Sequence, residues 1–142
     1  MFGYKEKVKD KIYNYVKTNY TKISNDDFVL GAMPYNFRCH LNSVQAIHEK
    51  KADKVFLVIA IERDNYKNII VHFINQQKNG KYIDNTWGWT HKHWNYYIIR
   101  EIEESEFNNI TVILTSTQTM LVENHSNSFL RWINRVDVNN FV

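Results

Sequence analysis

Apolar residues recur at helical spacing along the first third of the chain. The repeat through Val8, Ile12 and Val16 predicts an amphipathic helix over Tyr4–Asn19. A second run with the same period, which follows a proline-containing loop, predicts a helix over Phe37–Lys51. Two helices are therefore expected before any strand.

From residue 55 onward the pattern changes to short apolar runs that are separated by polar residues. Such runs are typical of strands, and Asp64-Asn65 and Asn79-Gly80 have the composition of turns between them. The predicted strands are Val55–Ile61, Asn68–Gln76, Lys81–Thr86, Tyr96–Ile102 and Ile110–Thr115, and the predicted closing helix is Ser126–Val136. Helices followed by mostly sequential strands predict an α+β fold with an antiparallel sheet.

Length and composition indicate one ordinary globular domain over residues 1–142. The chain has 142 residues, of which 44% are hydrophobic and 15% aromatic, enough to form a core. Its net charge is +3, and the lysines of the first helix alternate with Glu6 and Asp10, so we expect a solvated helix face. Nucleic-acid binding through this helix is the less favoured alternative.

Several classes of protein are disfavoured by what the sequence lacks. A single cysteine forms no intramolecular disulfide, and no apolar run approaches the roughly 20 residues of a membrane span. The lysine-rich start does not resemble a signal peptide, so a cytoplasmic location is expected. The four glycines are scattered, which disfavours a phosphate-binding loop, and no cofactor is expected.

The one cysteine, Cys39, lies at the predicted start of the second helix. Asn36 is a suitable capping residue, which places Cys39 in the first turn, where unpaired N–H groups and the helix dipole favour a thiolate. Arg38 adds a neighbouring positive charge. His72 on a later strand and Asp84 on the next complete a candidate Cys-His-Asp triad of nucleophile, base and orienting carboxylate.

The hairpin between the two strands decides whether this triad can form. A two-residue Asn79-Gly80 turn would put His72 on the same face as Asn85, not Asp84. A three-residue loop with Gly80 in a left-handed bulge would pair His72 with Thr86 and bring Asp84 to the face of His72, diagonal to it. The triad hypothesis therefore predicts the bulge.

The order of a helix-starting cysteine, a histidine strand and an aspartate strand resembles the papain-like fold in its transglutaminase-like form. The stretch from His72-Phe-Ile-Asn to Asp84-Asn-Thr-Trp-Gly88 is similar to the signature of that group. The resemblance implies a cysteine-dependent hydrolase or acyltransferase that acts on an amide, isopeptide or thioester bond. A protein or peptide is the implied substrate.

Further residues are candidates for substrate contact. The Cys39 backbone N–H, with a side chain from Asn36 or Tyr35, is expected to stabilise the oxyanion. Trp87, Trp89 and Trp94, with Tyr96 and Tyr97, follow the aspartate and are candidates to line a substrate groove, although plain core packing is an equally open interpretation.

Two other interpretations stay open. The aromatic segment from Trp87 to Tyr97 would serve a non-enzymatic phage or bacterial protein that binds a host protein. His91 and His93, with His40, His48 or Cys39, would be ligands of a zinc ion, although no second pair with fixed spacing accompanies them.

Overall fold

The computed structural model describes residues 3–64 and 68–136 and has a mixed α+β architecture. The α-helices are α1 (Tyr4–Asn19), α2 (Cys39–His48), α3 (Ile110–Asn124) and α4 (Ser128–Ile133). The strands are β1 (Thr21–Lys22), β2 (Phe28–Val29), β3 (Lys54–Glu62), β4 (Ile69–Gln76), β5 (Tyr82–Ile83) and β6 (Trp94–Ile102). Short 3-10 helices cover Asn25–Asp27, Gly88–His93 and Glu104–Asn109.

The strands form a single sheet in the order β1-β6-β3-β4-β5-β2. The long strands β3, β4 and β6 pair antiparallel, as the sequence predicts. The prediction of a wholly antiparallel sheet is wrong at one edge, where β2 pairs parallel to β5. The two-residue strand β2 lies in the segment predicted as a loop, where it is held by this pairing and by the packing of Phe28 on Tyr82 and Tyr96.

Both faces of the sheet are covered. One face carries a core of buried residues from β3 and β4 that alternate along the strands and pack against α1, α2 and α3. The opposite face carries a smaller cluster that includes Val58, Ile74 and Tyr96, with aromatic residues packed around it. Because both faces are buried, β3 reads as a continuous apolar run.

The predicted strand Ile110–Thr115 is wrong, because these residues begin the helix α3. Its β-branched residues favour strands locally. The buried residues Ile110, Leu121 and Val122 and the half-buried residues Ile113 and Leu114 lie along one side of this helix, which turns them toward the core. Tertiary burial thus outweighs local propensity in this segment.

Other predicted bounds shift by a few residues. The helix predicted over Phe37–Lys51 begins at Cys39 and ends at His48, and the strand predicted over Lys81–Thr86 is limited to Tyr82–Ile83. The closing helix is shorter than predicted. Of the predicted Asp64-Asn65 turn, Asp64 lies in a turn and Asn65 is outside the described residues. No described helix has the length and apolar character needed to span a bilayer.

Candidate active site

Cys39 is the first residue of α2, and a tight segment of backbone places it there. The predicted capping role of Asn36 is wrong, because α2 begins at Cys39 and Arg38 is the residue at its N-cap. The Asn36 side-chain oxygen accepts a hydrogen bond of 3.0 Å from the Arg38 N–H before the helix starts. Tyr35 and Phe37 on either side have positive φ angles of 58° and 54°. These left-handed conformations are unfavourable for bulky residues and turn the chain abruptly into α2.

The Cys39 thiol is buried, with 8% of the residue exposed, and is close to His72. Burial alone would raise the pKa of the thiol. The charge of His72, together with hydrogen bonds from His40, His72 and the Phe73 backbone N–H, outweighs burial and lowers the Cys39 pKa from 9.0 to about 6. The thiolate form is therefore favoured at neutral pH.

The bulge predicted for the hairpin is confirmed. Asn75 pairs with Ile83 and Gln76 with Tyr82, which is the register that brings His72 and Asp84 to one face. Gly80 has a φ of 83°, and its N–H donates to the Gln77 carbonyl at 2.9 Å. The His72 Nε2 atom lies 2.9 Å from the Asp84 Oδ2 atom.

Asp84 is fully buried, and each of its carboxylate oxygens accepts two hydrogen bonds. The backbone N–H groups of Thr86 and Trp87 both donate to Oδ1 at 2.9 Å. The Tyr96 hydroxyl donates to Oδ2 at 2.6 Å, beside His72. Burial would raise the pKa of Asp84, but the charge of His72 and these hydrogen bonds lower it below 3.8, so the carboxylate is ionised.

The same pairing acts on His72, which is buried with Asp84 on one side and the thiol on the other. Burial would lower the imidazole pKa, whereas the charges of Asp84 and Cys39 and the hydrogen bonds to both raise it from 6.5 to about 10. Because Nε2 faces Asp84, Nδ1 is the ring nitrogen left for the thiol. At neutral pH, Cys39 is therefore favoured as a thiolate, His72 as an imidazolium and Asp84 as a carboxylate.

Trp87 covers the imidazole of His72. The two ring centroids are 3.8 Å apart with an interplanar angle of 9°, and Trp94 stacks on the other side of Trp87 at 4.5 Å. The indole keeps water from the His72–Asp84 pair and limits rotation of the imidazole. This contact gives Trp87 a direct place in the site.

A network of asparagines fixes α2 against the strands that carry His72 and Asp84. The fully buried side chain of Asn75 donates to the Ser43 carbonyl at 2.9 Å and to the Lys54 carbonyl at 3.1 Å. The Asn85 amide donates to the Asn75 side-chain oxygen at 2.9 Å. Helix, strand and the turn after Asp84 are therefore linked by directional contacts and not by apolar packing alone.

A second pair of amides extends this link to the start of α2. Asn42 donates to the Thr86 hydroxyl at 3.0 Å and to the Asn36 side-chain oxygen at 2.8 Å, and the Asn36 amide donates to Asn42 at 3.1 Å. The Asn36 side chain is therefore engaged with Asn42 and Arg38.

A cavity of about 460 Å³ opens beside the thiol. It is lined by Met33, Phe37, Cys39, Ile70, Val71, His72, Thr86, Trp87, Thr90, Trp94, Leu114 and Gln118. Cys39 and His72 form part of its wall, so a carbonyl group bound here would lie next to the nucleophile.

No family model, no curated protein and no solved structure matches this chain.

The other predicted contact residues differ in how they relate to the cavity. Trp87 lines it, whereas Trp89 is 53% exposed, packs edge-on against His93 and is outside the lining. Tyr35 is 76% exposed, and Asn36 is directed into the asparagine network. The structure thus brings together Cys39, His72, Asp84 and Trp87.

The two histidines considered as zinc ligands contact different neighbours. The His91 ring stacks on Phe28 with centroids 5.1 Å apart, whereas His93 packs against Trp89. Among residues 3–64 and 68–136, no group of three or more His, Cys, Asp or Glu side chains is placed to hold a metal ion.

Sequence reasoning did not give the roles of three residues at this site. His40 helps to lower the pKa of the thiol, Tyr96 donates to Asp84, and Gln118 lines the cavity. Tyr96 lies within a predicted strand, but no sequence signal gives its distance from Asp84. Gln118 lies on α3, whose first residues were predicted as a strand.

Proposed function

We propose that this protein is a cysteine-dependent hydrolase or acyltransferase with a papain-like, transglutaminase-like core. The observation that carries the proposal is the buried chain of Cys39, His72 and Asp84, in which the thiol pKa is about 6 and Asp84 lies 2.9 Å from the imidazole. An activated thiol next to a base that is oriented by a carboxylate is the arrangement that covalent acyl transfer requires.

The proposed reaction begins with the thiolate of Cys39. Its sulfur attacks the carbonyl carbon of an amide, isopeptide or thioester, and the C=O π electrons move to oxygen. When the tetrahedral intermediate collapses, the bond to the leaving group breaks, and the imidazolium of His72 gives its proton to that group. The product of this step is a thioester between Cys39 and the acyl group.

Water or an amine then attacks the thioester, and His72 accepts the proton of the nucleophile. The C–S bond breaks, the acid or the new amide leaves, and the thiolate–imidazolium pair is restored. Asp84 does not exchange a proton in this scheme. It keeps the imidazole in place and stabilises its charge, while the Cys39 backbone N–H at the start of α2 supports the oxyanion.

Acylation of the intact protein tests the proposal. With p-nitrophenyl acetate, we expect fast release of nitrophenol and a mass increase of one acetyl group, because Cys39 is the chain's one cysteine. His72→Ala should slow acylation by about a hundredfold or more, the contribution typical of a general base, and Cys39→Ala should abolish it. Acylation of the wild-type protein no faster than that of free cysteine would refute the proposal.

The alternative of an aromatic binding surface has less support. Within the segment from Trp87 to Tyr97, Tyr96 and Tyr97 are buried. Trp87 and Trp94 are half-buried and stack on each other, and Trp87 also stacks on His72. Trp89 is the large aromatic side chain of the segment that is mostly exposed. Most of the large aromatic side chains of this segment are therefore engaged in packing within the protein.

A further inference from the structure

We infer that the cavity beside Cys39 binds the acyl portion of a peptide-like substrate with an uncharged, apolar side chain, and that Gln118 on α3 hydrogen-bonds to the neighbouring peptide group. This inference rests on the proposed function and names the substrate class of the same site. It adds a substrate-binding residue on an element that carries none of the three triad residues.

The first support is the chemical character of the cavity wall. Met33, Ile70, Leu114, Trp87 and Trp94 provide apolar and aromatic surface. Within the described part of the chain, no Asp, Glu, Lys or Arg lines the cavity. Among the described lining residues, the charged groups are the Cys39 thiolate and the His72 imidazolium, which already compensate each other and are joined to Asp84. A charged substrate side chain would therefore lose its hydration without gaining a free partner.

The second support is that the polar side chains of the cavity wall differ in whether they already have hydrogen-bond partners. The Thr90 hydroxyl donates to the Trp87 carbonyl at 2.7 Å, and the Thr86 hydroxyl accepts from Asn42 at 3.0 Å. Both threonines are thus already hydrogen-bonded within the protein. Gln118 lines the same cavity, and its side-chain amide has no hydrogen-bond partner among the described residues.

The third support is the match between this amide and a peptide group. A glutamine side chain has both a donor and an acceptor, and a peptide group has one of each, so the two can form paired hydrogen bonds. A simple acyl chain offers no such partner. The combination of one available amide with apolar walls therefore favours an apolar amino-acid residue over a plain aliphatic chain.

A binding experiment tests this without requiring turnover. The isotope-labelled Cys39→Ala protein is titrated with N-acetyl-leucinamide, with isocaproamide, which lacks the acetamido group, and with N-acetyl-aspartate amide. The indole N–H signals of Trp87 and Trp94 report cavity binding by NMR. We expect N-acetyl-leucinamide to bind most tightly and the aspartate probe to give no saturable shift.

The role of Gln118 is tested by adding Gln118→Leu, with Gln77→Leu on the β4–β5 hairpin as the matched control. Gln118→Leu should weaken binding of N-acetyl-leucinamide by about three- to tenfold, the loss typical of a hydrogen bond. It should leave isocaproamide binding unchanged, and Gln77→Leu should alter neither. The comparison of two probes within one variant separates lost recognition from a general disturbance of the fold.

Equal loss for both probes, or tight binding of the aspartate probe, would overturn the inference. Because the titration uses the Cys39→Ala protein, its result is independent of catalysis. Selective binding with no acylation of the wild-type thiol would refute the proposed reaction and leave the cavity's specificity standing.

Discussion

Buried charge at Cys39, His72 and Asp84 is the dominant feature at the residue scale. Each group carries a desolvation cost, and each is compensated by its neighbour: the thiol by His72, the imidazole by Asp84, and Asp84 by four hydrogen bonds. Because the compensation is mutual, removing one member leaves the others buried without a partner.

The pH dependence of thiol alkylation should report this coupling. The iodoacetamide rate should rise with a midpoint near pH 6, since the Cys39 pKa is lowered to about 6, and not near 9.0. His72→Ala removes the largest lowering effect and leaves burial, which raises the thiol pKa, so the midpoint should move upward. His48→Ala, on the exposed far end of α2, is the control and should not move it. A wild-type midpoint near 9.0 would contradict the coupled pair.

Turnover should have a second, alkaline limit. The thiolate exists above about pH 6 and the imidazolium below about pH 10, so the ion pair is present between these values. Activity against an activated amide should therefore rise through the first value and fall through the second. A single ascending curve without an alkaline fall would mean that proton donation by His72 does not limit the reaction.

Tyr96 should act as a positioning residue for Asp84. Tyr96→Phe removes one donor to a buried carboxylate and should cost about 1.5–3 kcal/mol of unfolding free energy at neutral pH. The pKa of Asp84 is lowered in the folded protein, so its stabilisation is present above the unfolded value of 3.8 and is lost as the pH falls through the folded value. The difference between variant and wild type should therefore shrink in acid.

Urea unfolding at several pH values measures this effect. Tyr82→Phe is the matched control, because Tyr82 is half-buried in the same aromatic cluster and Asp84 is not among its contacts. A loss for Tyr96→Phe that stays constant down to pH 2 would show that packing, and not the hydrogen bond to Asp84, causes it.

The β4–β5 hairpin is the decisive element, because its register sets which side chains share a face. One residue more or less in the loop would exchange Asp84 for Asn85 beside His72. Gly80 permits the observed loop through its φ of 83°, and the Asn79 side chain accepts from the Lys81 N–H at 2.9 Å. Local turn chemistry thereby supports a long-range contact.

Substitution of Gly80 should reveal backbone strain alone. No atom lies within 4 Å of a Cβ built at this position, so Gly80→Ala meets no steric conflict there. The positive φ should still cost about 1–2 kcal/mol of unfolding free energy. Gly80→Asn should cost less, because asparagine tolerates this conformation. Equal stability of the alanine variant and wild type in urea unfolding would contradict a left-handed bulge.

At the scale of the whole molecule, the site is assembled where distant segments meet. The segment at Gly31 packs against the backbone that carries Asp84, α2 is tied to β4 through Asn75, and α3 closes the cavity with Leu114 and Gln118. Residues far apart in sequence must therefore be placed together before the thiol acquires its environment.

Gly31→Ala should disturb this assembly. A Cβ at this position would lie 2.1 Å from the Asp84 carbonyl oxygen, so one of the two backbone segments must move. We expect a loss of about 1–3 kcal/mol in unfolding free energy. We also expect a higher alkylation midpoint for Cys39, because displacement of Asp84 makes the imidazolium form of His72 less favourable, so that His72 lowers the Cys39 pKa less. Gly3→Ala is the control, since its nearest neighbour is the flexible carboxylate of Glu6. If Gly31→Ala lowers the unfolding free energy but leaves the alkylation midpoint of Cys39 unchanged, the packing of Gly31 does not influence the thiol pKa.

Local sequence patterns are enough to predict the strongly periodic elements and the order of the cysteine, histidine and aspartate along the chain. Helix α1 matches its predicted bounds, β3 and β4 match to within one residue at each end, and the Gly80 loop follows from the requirement that His72 and Asp84 share a face. These features depend on local spacing and turn geometry, which neighbouring residues encode.

The contacts between groups that are distant in sequence depend on the packing of the whole chain. Ile110–Asn124 is a helix because its apolar residues face a core that the segment alone does not show, and this helix supplies Gln118 to the cavity. The Tyr96 hydroxyl reaches Asp84 because β6 pairs with β3 and not with β5, its predecessor in sequence. Such contacts are set by strand order and burial, which local propensity does not specify.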